Sequence, residues 1–116
     1  SFKEDNLIQN KTFEFALSII KFYTFVNLRM NNSLKADSSL GTSIGANVEK
    51  AIAAQSKKDF ISKLSIANKE ARETKYWLKL YESSNLVQID IDSYLKEIES
   101  IINILTKIIK TSSENL

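Results

Sequence analysis

Apolar and small residues recur three and four positions apart along most of the chain, the spacing that places them on one face of an α-helix. The longest unbroken example forms one stripe: Phe60, Leu64, Ala67, Ala71, Thr74, Leu78 and Tyr81. Ser56 precedes Asp59 by three positions, which is the spacing of a helix start, because the hydroxyl accepts from an exposed backbone N–H group. The pattern therefore predicts a long helix over residues 57–82.

The segment before this helix predicts another one, over residues 34–54. Three of its residues lie on one line with Gln55, which directly follows it: Ile44, Val48 and Ala51. Its start is poorly fixed, since several residues between 33 and 42 carry cap-forming side chains. The two glycines of the chain, Gly41 and Gly45, are interpreted as sites of close helix packing. A phosphate-binding loop is disfavoured, because the pair lacks the Gly-Lys-Ser/Thr ending and the preceding apolar strand.

The first predicted helix, over residues 10–30, is apolar around more than half of its circumference. One face carries Phe13, Ala16, Leu17, Ile20 and Tyr23, and a second carries Phe15, Ile19, Phe22, Val26 and Met30. So wide an apolar arc indicates that another subunit covers part of it, the alternative being a helix sunk deep in its own core. We assign the subunit surface to four residues of the second face: Phe15, Ile19, Phe22 and Val26. Residues 1–9 are expected to be a loose lead-in.

The fourth predicted helix, over residues 91–110, begins at a cap formed by Asp90 or Asp92. Its apolar positions form a regular stripe: Ile91, Tyr94, Leu95, Ile98, Ile101, Ile102, Leu105, Ile108 and Ile109. The polar tail after it is expected to fray. Four helices with short connections in 116 residues predict an all-α fold of one domain, an antiparallel, up-and-down, left-handed four-helix bundle.

The composition narrows the function classes. The chain has no cysteine and no histidine, which removes the commonest nucleophiles, general bases and metal ligands. No cofactor or metal motif is present, and we expect a protein that is not an enzyme. A distant alternative is an acid–base set of Asp59, Glu70, Glu73 and Tyr76, although carboxylates at such spacings normally pair with nearby lysines. The absence of a membrane-spanning run and the polar start predict a cytoplasmic location.

In the third predicted helix, positive and negative side chains lie on different sides. Its cations fall opposite the core stripe and form what is called here the basic face: Lys58, Lys69, Arg72, Lys75 and Lys79, with Tyr76 between them. Such a face fits a phosphate backbone, with Tyr76 available for stacking, but a solvated lysine face is what most surface helices have. A flanking ridge mixes apolar and acidic residues: Ile66, Glu70, Glu73 and Trp77. The ridge is interpreted as a subunit interface or as a half-buried flank within one subunit.

The segments GTSIGANVEKA and QSKKDFISKLSIANKEARETKYWLKL closely resemble the bacterial four-helix-bundle proteins, also called ribosomal RNA intervening-sequence proteins. The resemblance extends from Phe13 to about Lys110. It implies an antiparallel bundle assembled into a homopentameric ring, without an established biochemical activity. A related branch, the accessory proteins of diversity-generating retroelements, is basic and pentameric and binds RNA and a reverse transcriptase.

Two functional hypotheses follow. In the first, the protein is a non-enzymatic oligomeric scaffold or adaptor whose basic face binds RNA or a nucleic-acid-processing protein. In the second, it is a purely protein-binding homo-oligomeric assembly in which the lysines only keep the surface solvated. Neither hypothesis involves a cofactor or a membrane.

Overall fold

The computed structural model describes residues 2–29, 39–86 and 88–115. It contains four helices: α1 Phe2–Arg29, α2 Ser39–Ile52, α3 Lys57–Ser84 and α4 Ile91–Glu114. Within these three ranges there is no β-strand. The prediction of an all-α chain with four helices is confirmed.

Two helices are longer than the sequence pattern predicts. Helix α1 begins at Phe2 rather than at Asn10, because its early turns also contribute to the core through the buried side chains of Ile8 and Thr12. Helix α4 continues to Glu114, and Lys57 Nζ donates to the Asn115 carbonyl oxygen over 3.1 Å at that end. Within the described residues, the predictions of a loose lead-in before α1 and of a fraying tail after residue 110 are therefore wrong.

The other boundaries are closer to expectation. Ser56 caps α3, since its Oγ accepts from the Asp59 backbone N–H over 3.0 Å, as predicted. Asp90 occupies the N-cap position of α4 without a side-chain cap bond. Helix α2 starts at Ser39, inside the interval that the sequence left open, whereas the predicted start near residue 34 lies outside the described residues.

Each helix packs against its neighbours in the chain, and α1 also packs against α4. Pairs across the α3–α4 seam show its direction, since Asn68 Nδ2 donates to Thr106 Oγ1 and Lys75 donates to Glu99. Residue numbers rise on α3 as they fall on α4, so the two helices are antiparallel. Helices α1 and α3 do not contact each other in the described residues, and α2 packs against both of them. Helices α1 and α3 therefore occupy opposite corners of an elongated body of 48 × 21 × 19 Å.

The core stripes of three helices match most of the sequence pattern. Phe60, Tyr94, Leu95 and Ile109 are half-buried, and Gln55, which was placed on the line of α2, is exposed beyond the end of that helix. On α3 the buried residues are Leu64, Ala67, Ala71, Thr74, Leu78 and Tyr81. On α2 they include Ile44, Val48 and Ala51, and on α4 they include Ile91, Ile98, Ile101, Ile102, Leu105 and Ile108. A period of 3.6 residues is enough to assign the inward face when a helix has only one apolar stripe.

Helix α1 has two such stripes, and the assignment of its outward face was wrong. The four residues predicted to contact another subunit are at most 3% exposed and lie in the core of the chain itself: Phe15, Ile19, Phe22 and Val26. Phe22 is held there by aromatic rings from two other helices, with centroid distances of 5.7 Å to Tyr81 and 5.1 Å to Tyr94. Met30, from the same predicted face, lies outside the described residues.

The opposite face of α1 is the one left at the surface. Phe13 is 60% exposed, and Leu17 and Ile20 are exposed as well. Tyr23, which the sequence pattern grouped with them, is instead buried beside Phe22. One apolar face of α1 therefore stays outside the core of the chain, as expected, but it is the face of Phe13, Leu17 and Ile20 and not the predicted one.

Candidate nucleic-acid interface and subunit surfaces

The basic face of α3 lies largely at the surface. Lys58, Lys69, Arg72 and Lys79 are exposed, whereas Lys75 is half-buried. From Lys58 to Lys79 the face extends about 32 Å along the helix, at about 1.5 Å per residue. The structure therefore presents four of the five predicted cations to solvent along one helix.

Lys75 is engaged by a carboxylate from another helix. Its Nζ lies 2.7 and 2.8 Å from the two carboxylate oxygens of Glu99 on α4. The hydrogen bond from Lys75 is the largest cause that lowers the pKa of Glu99 below its ordinary value. Desolvation opposes it, and the positive charges of Lys75, Lys79 and Arg72 add to the lowering. Glu99 thus places one negative charge beside three cations of the basic face.

Glu99 was missed by sequence reasoning because it lies 24 residues from Lys75, on a helix whose charges were not matched to α3. Antiparallel pairing is the signal that could have found it. Asn68 pairs with Thr106 and Lys75 with Glu99, so moving seven residues along α3 corresponds to moving seven residues back along α4.

Tyr76 is the most exposed aromatic residue of α3, with 60% of its surface accessible. Its ring meets the Trp77 ring edge to face at a centroid distance of 6.3 Å. The tyrosine therefore stands beside the basic face and is in contact with the flanking ridge.

The flanking ridge of α3 also lies at the surface. Ile66, Glu73 and Trp77 are exposed, and Glu70 is half-buried. Ser43 Oγ on α2 approaches Glu70 Oε2 at 3.4 Å, which places the ridge on the α2 side of α3. The basic residue Lys75, by contrast, faces α4.

Two hollows adjoin the exposed apolar residues. One, of about 160 Å³, lies between α1 and α2, where Phe13 and Ala16 face Gly45 and Ala46. The other, of about 200 Å³, lies at the end of α3 and has an almost wholly apolar lining: Trp77, Leu80, Tyr81, Ser84 and Leu86. Both are open to solvent on one side.

The alternative acid–base set is not brought together. Asp59 pairs with Lys63 over 3.3 Å, and it lies about 16 Å along the helix from Glu70 at the helical rise per residue. Across residues 2–29, 39–86 and 88–115, no three side chains of His, Cys, Asp or Glu are grouped in a way that could hold a metal ion. In the same ranges, no helix has the length and apolar character needed to cross a bilayer.

Comparisons with known proteins agree with this architecture. The crystal structure of a protein of unknown function from the S23 ribosomal protein family of Bacteroides thetaiotaomicron matches with a TM-score of 0.82 and 38% sequence identity. The match covers 92% of this chain and 98% of that one. Among curated proteins, none matches this chain.

A family model described as 23S rRNA-intervening sequence protein matches residues 4–107. The match includes almost all of α1, the whole of α2 and α3, and most of α4. The chain belongs to the 23S rRNA-intervening sequence protein family.

Proposed function

We propose that this protein is a non-enzymatic homo-oligomeric scaffold of the cytoplasm, and that it binds RNA through the basic face of α3. The observation that carries the proposal is the row of exposed cations: Lys58, Lys69, Arg72 and Lys79. The resemblance to the accessory proteins of diversity-generating retroelements supports both RNA as the ligand and a homopentameric ring as the assembly.

The physical basis is the release of counterions from the nucleic-acid backbone. Each phosphate neutralised by a lysine or arginine frees condensed cations, so affinity falls steeply as salt is raised. Arg72 adds a planar donor group that can hold one phosphate through two hydrogen bonds. Tyr76 offers a ring for an unpaired base. Repetition of the face in each subunit of an oligomer raises the overall affinity through multivalency.

Glu99 opposes this binding. Its carboxylate already accepts from Lys75 at 2.7 Å and interacts with the charges of Lys79 and Arg72. A phosphate that approaches these cations must compete with it. The Glu99→Gln variant should therefore bind RNA more tightly than the unmodified protein, with a steeper dependence of affinity on salt.

The test is a fluorescence-anisotropy titration with structured RNA, single-stranded RNA and duplex DNA over a range of salt concentrations. We expect RNA binding that weakens with salt and that is lost when Arg72→Glu and Lys79→Glu are combined. The matched control combines Lys96→Glu and Lys110→Glu, which change the net charge equally at exposed positions of α4.

An equal loss of affinity in both double variants would assign the effect to net charge alone and contradict a specific basic face. Absence of binding to all three ligands at physiological salt would remove the RNA-binding part of the proposal. Glu97→Gln serves as the control for Glu99→Gln, because Glu97 lies on the same helix but pairs with Lys11 on α1.

A second candidate function is a homo-oligomer that binds only proteins. It is favoured by the exposed apolar residues of α1, such as Phe13 and Leu17, since large exposed apolar patches mark protein-binding surfaces. Association with a protein partner that persists at high salt, together with no RNA binding, is the result expected for this candidate.

A further inference from the structure

One part of the basic face combines cations with an exposed aromatic ring. This part, called here the central strip, consists of Lys69, Arg72, Tyr76 and Lys79, and all four residues are exposed. Their intervals of three, four and three residues place them on one side of α3, over about 15 Å at the helical rise per residue. Tyr76 therefore stands inside a row of cations and not at its end.

The cations of the central strip are available to a ligand. In the part of the chain that the structure describes, Lys75 is the cation of the basic face that forms a salt bridge, with Glu99. Lys69, Arg72 and Lys79 form none there. Three neighbouring cations therefore remain solvated around the ring of Tyr76.

The ring of Tyr76 is both accessible and held in place. It is 60% exposed, and its contact with the Trp77 ring at 6.3 Å limits the orientations that it can adopt. Less conformational entropy is then lost when a planar group stacks on it. In a nucleic acid, the planar group that accompanies the phosphates is the base, and it can stack on such a ring when it is unpaired.

The neighbours of α3 limit the form of nucleic acid that can use the ring. Helices α2 and α4 both pack against α3, so α3 presents only its outer side. It cannot enter the major groove of DNA, which is about 12 Å wide and admits a protruding helix. The major groove of duplex RNA is too narrow for side chains to read. A duplex can therefore meet the central strip only through its phosphates, with its bases out of reach of Tyr76.

Carboxylates border the central strip on both sides. Glu73 is exposed on the α2 side, and Glu99 lies on the α4 side. The stretch of α4 opposite the strip, residues 95–105, carries Glu97 as well and one cation, Lys96. A duplex is wider than one helix of the bundle, so its second strand would lie over these carboxylates, and repulsion disfavours it.

We propose that the ligand of the basic face is single-stranded RNA, with phosphates on Lys69, Arg72 and Lys79 and an unpaired base stacked on Tyr76. The inference rests on the proposed function, and it names the form of RNA and the residue that distinguishes it. With three phosphates neutralised, the logarithm of the affinity should fall against the logarithm of the salt concentration with a slope of about −2 per strip.

Three RNA probes of equal length test the form of the ligand. They are an unstructured strand of about twelve nucleotides, the duplex of that strand with its complement, and a strand whose sugars carry no bases. Fluorescence anisotropy at equal salt measures their affinities for the unmodified protein. The base-bearing strand should bind on the order of tenfold more tightly than either of the others, because only it can stack on a ring.

Substitutions of Tyr76 test the stacking. Tyr76→Ala should weaken binding of the base-bearing strand on the order of tenfold and leave the strand without bases unaffected. Tyr76→Phe is the matched control, because it keeps the ring and should retain the affinity. Circular dichroism and sedimentation equilibrium verify that fold and assembly are unchanged. The three probes with the unmodified protein remain decisive if Tyr76→Ala does not fold.

The outcomes separate this inference from the proposed function. If none of the probes binds at physiological salt, the proposed RNA binding fails and this inference fails with it. If the duplex or the strand without bases binds as tightly as the base-bearing strand, RNA binding stands and only this inference is overturned. An equal loss for both single-stranded probes in Tyr76→Ala would assign the tyrosine a structural role and would overturn the stacking as well.

Discussion

Gly41 on α2 and Ile19 on α1 approach so closely that no side chain fits between them. A Cβ atom placed on Gly41 would lie 2.5 Å from Ile19 Cγ2 and 3.0 Å from both Ile19 Cβ and Cγ1. Gly45, one helical turn away, is less constrained, since its added Cβ would come no nearer than 3.4 Å, to the Thr12 carbonyl oxygen. One of the two glycines is therefore required by packing.

The first prediction compares alanine at these two positions. Gly41→Ala should lower the free energy of unfolding by about 1–2 kcal/mol, because overpacking outweighs the gain in helix propensity. Gly45→Ala should be neutral or stabilising by up to ~1 kcal/mol. Urea unfolding followed by circular dichroism measures both. Equal effects of the two substitutions would contradict the asymmetry.

The second prediction tests which face of α1 is inward. Phe22→Ala should cost about 3–5 kcal/mol, because it removes a buried ring and leaves a cavity. Phe13→Ala, on the exposed face, should change the stability of one subunit by less than about 0.5 kcal/mol. Unfolding is measured at a concentration where both variants are monomeric, and a larger loss for Phe13 would reverse the assignment.

The third prediction concerns pH. Because Lys75 lowers the pKa of Glu99 below its ordinary value of about 4.5, the folded state binds this proton less readily than the unfolded state. The resulting stabilisation is present above about pH 4.5 and is lost as pH falls through the lowered pKa. The stability difference between the unmodified protein and Glu99→Gln should therefore shrink in acid.

Unfolding midpoints at a series of pH values measure this difference. In a Lys75→Met background, the pH-dependent effect of Glu99→Gln should be smaller, because the first cause of the shift is gone. The Lys75–Glu99 pair would have no such role if the stability difference between the unmodified protein and Glu99→Gln stayed constant from neutral pH into acid. An identical pH dependence with Lys75 and with Lys75→Met would contradict it too.

The fourth prediction concerns the start of α3. Ser56→Ala should destabilise the protein by about 0.5–2 kcal/mol, since the Asp59 N–H loses its side-chain acceptor. Ser65→Ala, at an exposed position inside the same helix, should be neutral or slightly stabilising because alanine has the higher helix propensity. Thermal unfolding distinguishes the two, and equal melting temperatures would show that the cap contributes nothing.

The sequence was sufficient to identify the family resemblance and to predict the inward faces of α2, α3 and α4. Periodicity identifies a core face when only one stripe is apolar, as for the row from Leu64 to Tyr81. The cap at Ser56 was also readable, because it depends on a hydroxyl and a backbone N–H three residues apart. These features are local, so neighbouring residues determine them.

The sequence could not predict which face of α1 is inward, because both faces are apolar and both have helical spacing. The choice depends on long-range contacts, namely the fit of Ile19 over Gly41 and the packing of Phe22 against Tyr81 and Tyr94. In the candidate site, the sequence placed the cations on one face of α3 but not the carboxylate beside them. Glu99 reaches Lys75 only when α4 folds back along α3.

The sequence by itself determined the four helices, the family and the row of cations, because these follow from spacing and residue type along one segment. Only the tertiary structure decided which apolar face of α1 is buried, which of the two glycines is required by packing and that Lys75 of the basic face is paired with Glu99. Those outcomes depend on atoms from different helices meeting at distances of a few ångströms, and a one-dimensional pattern does not contain such distances.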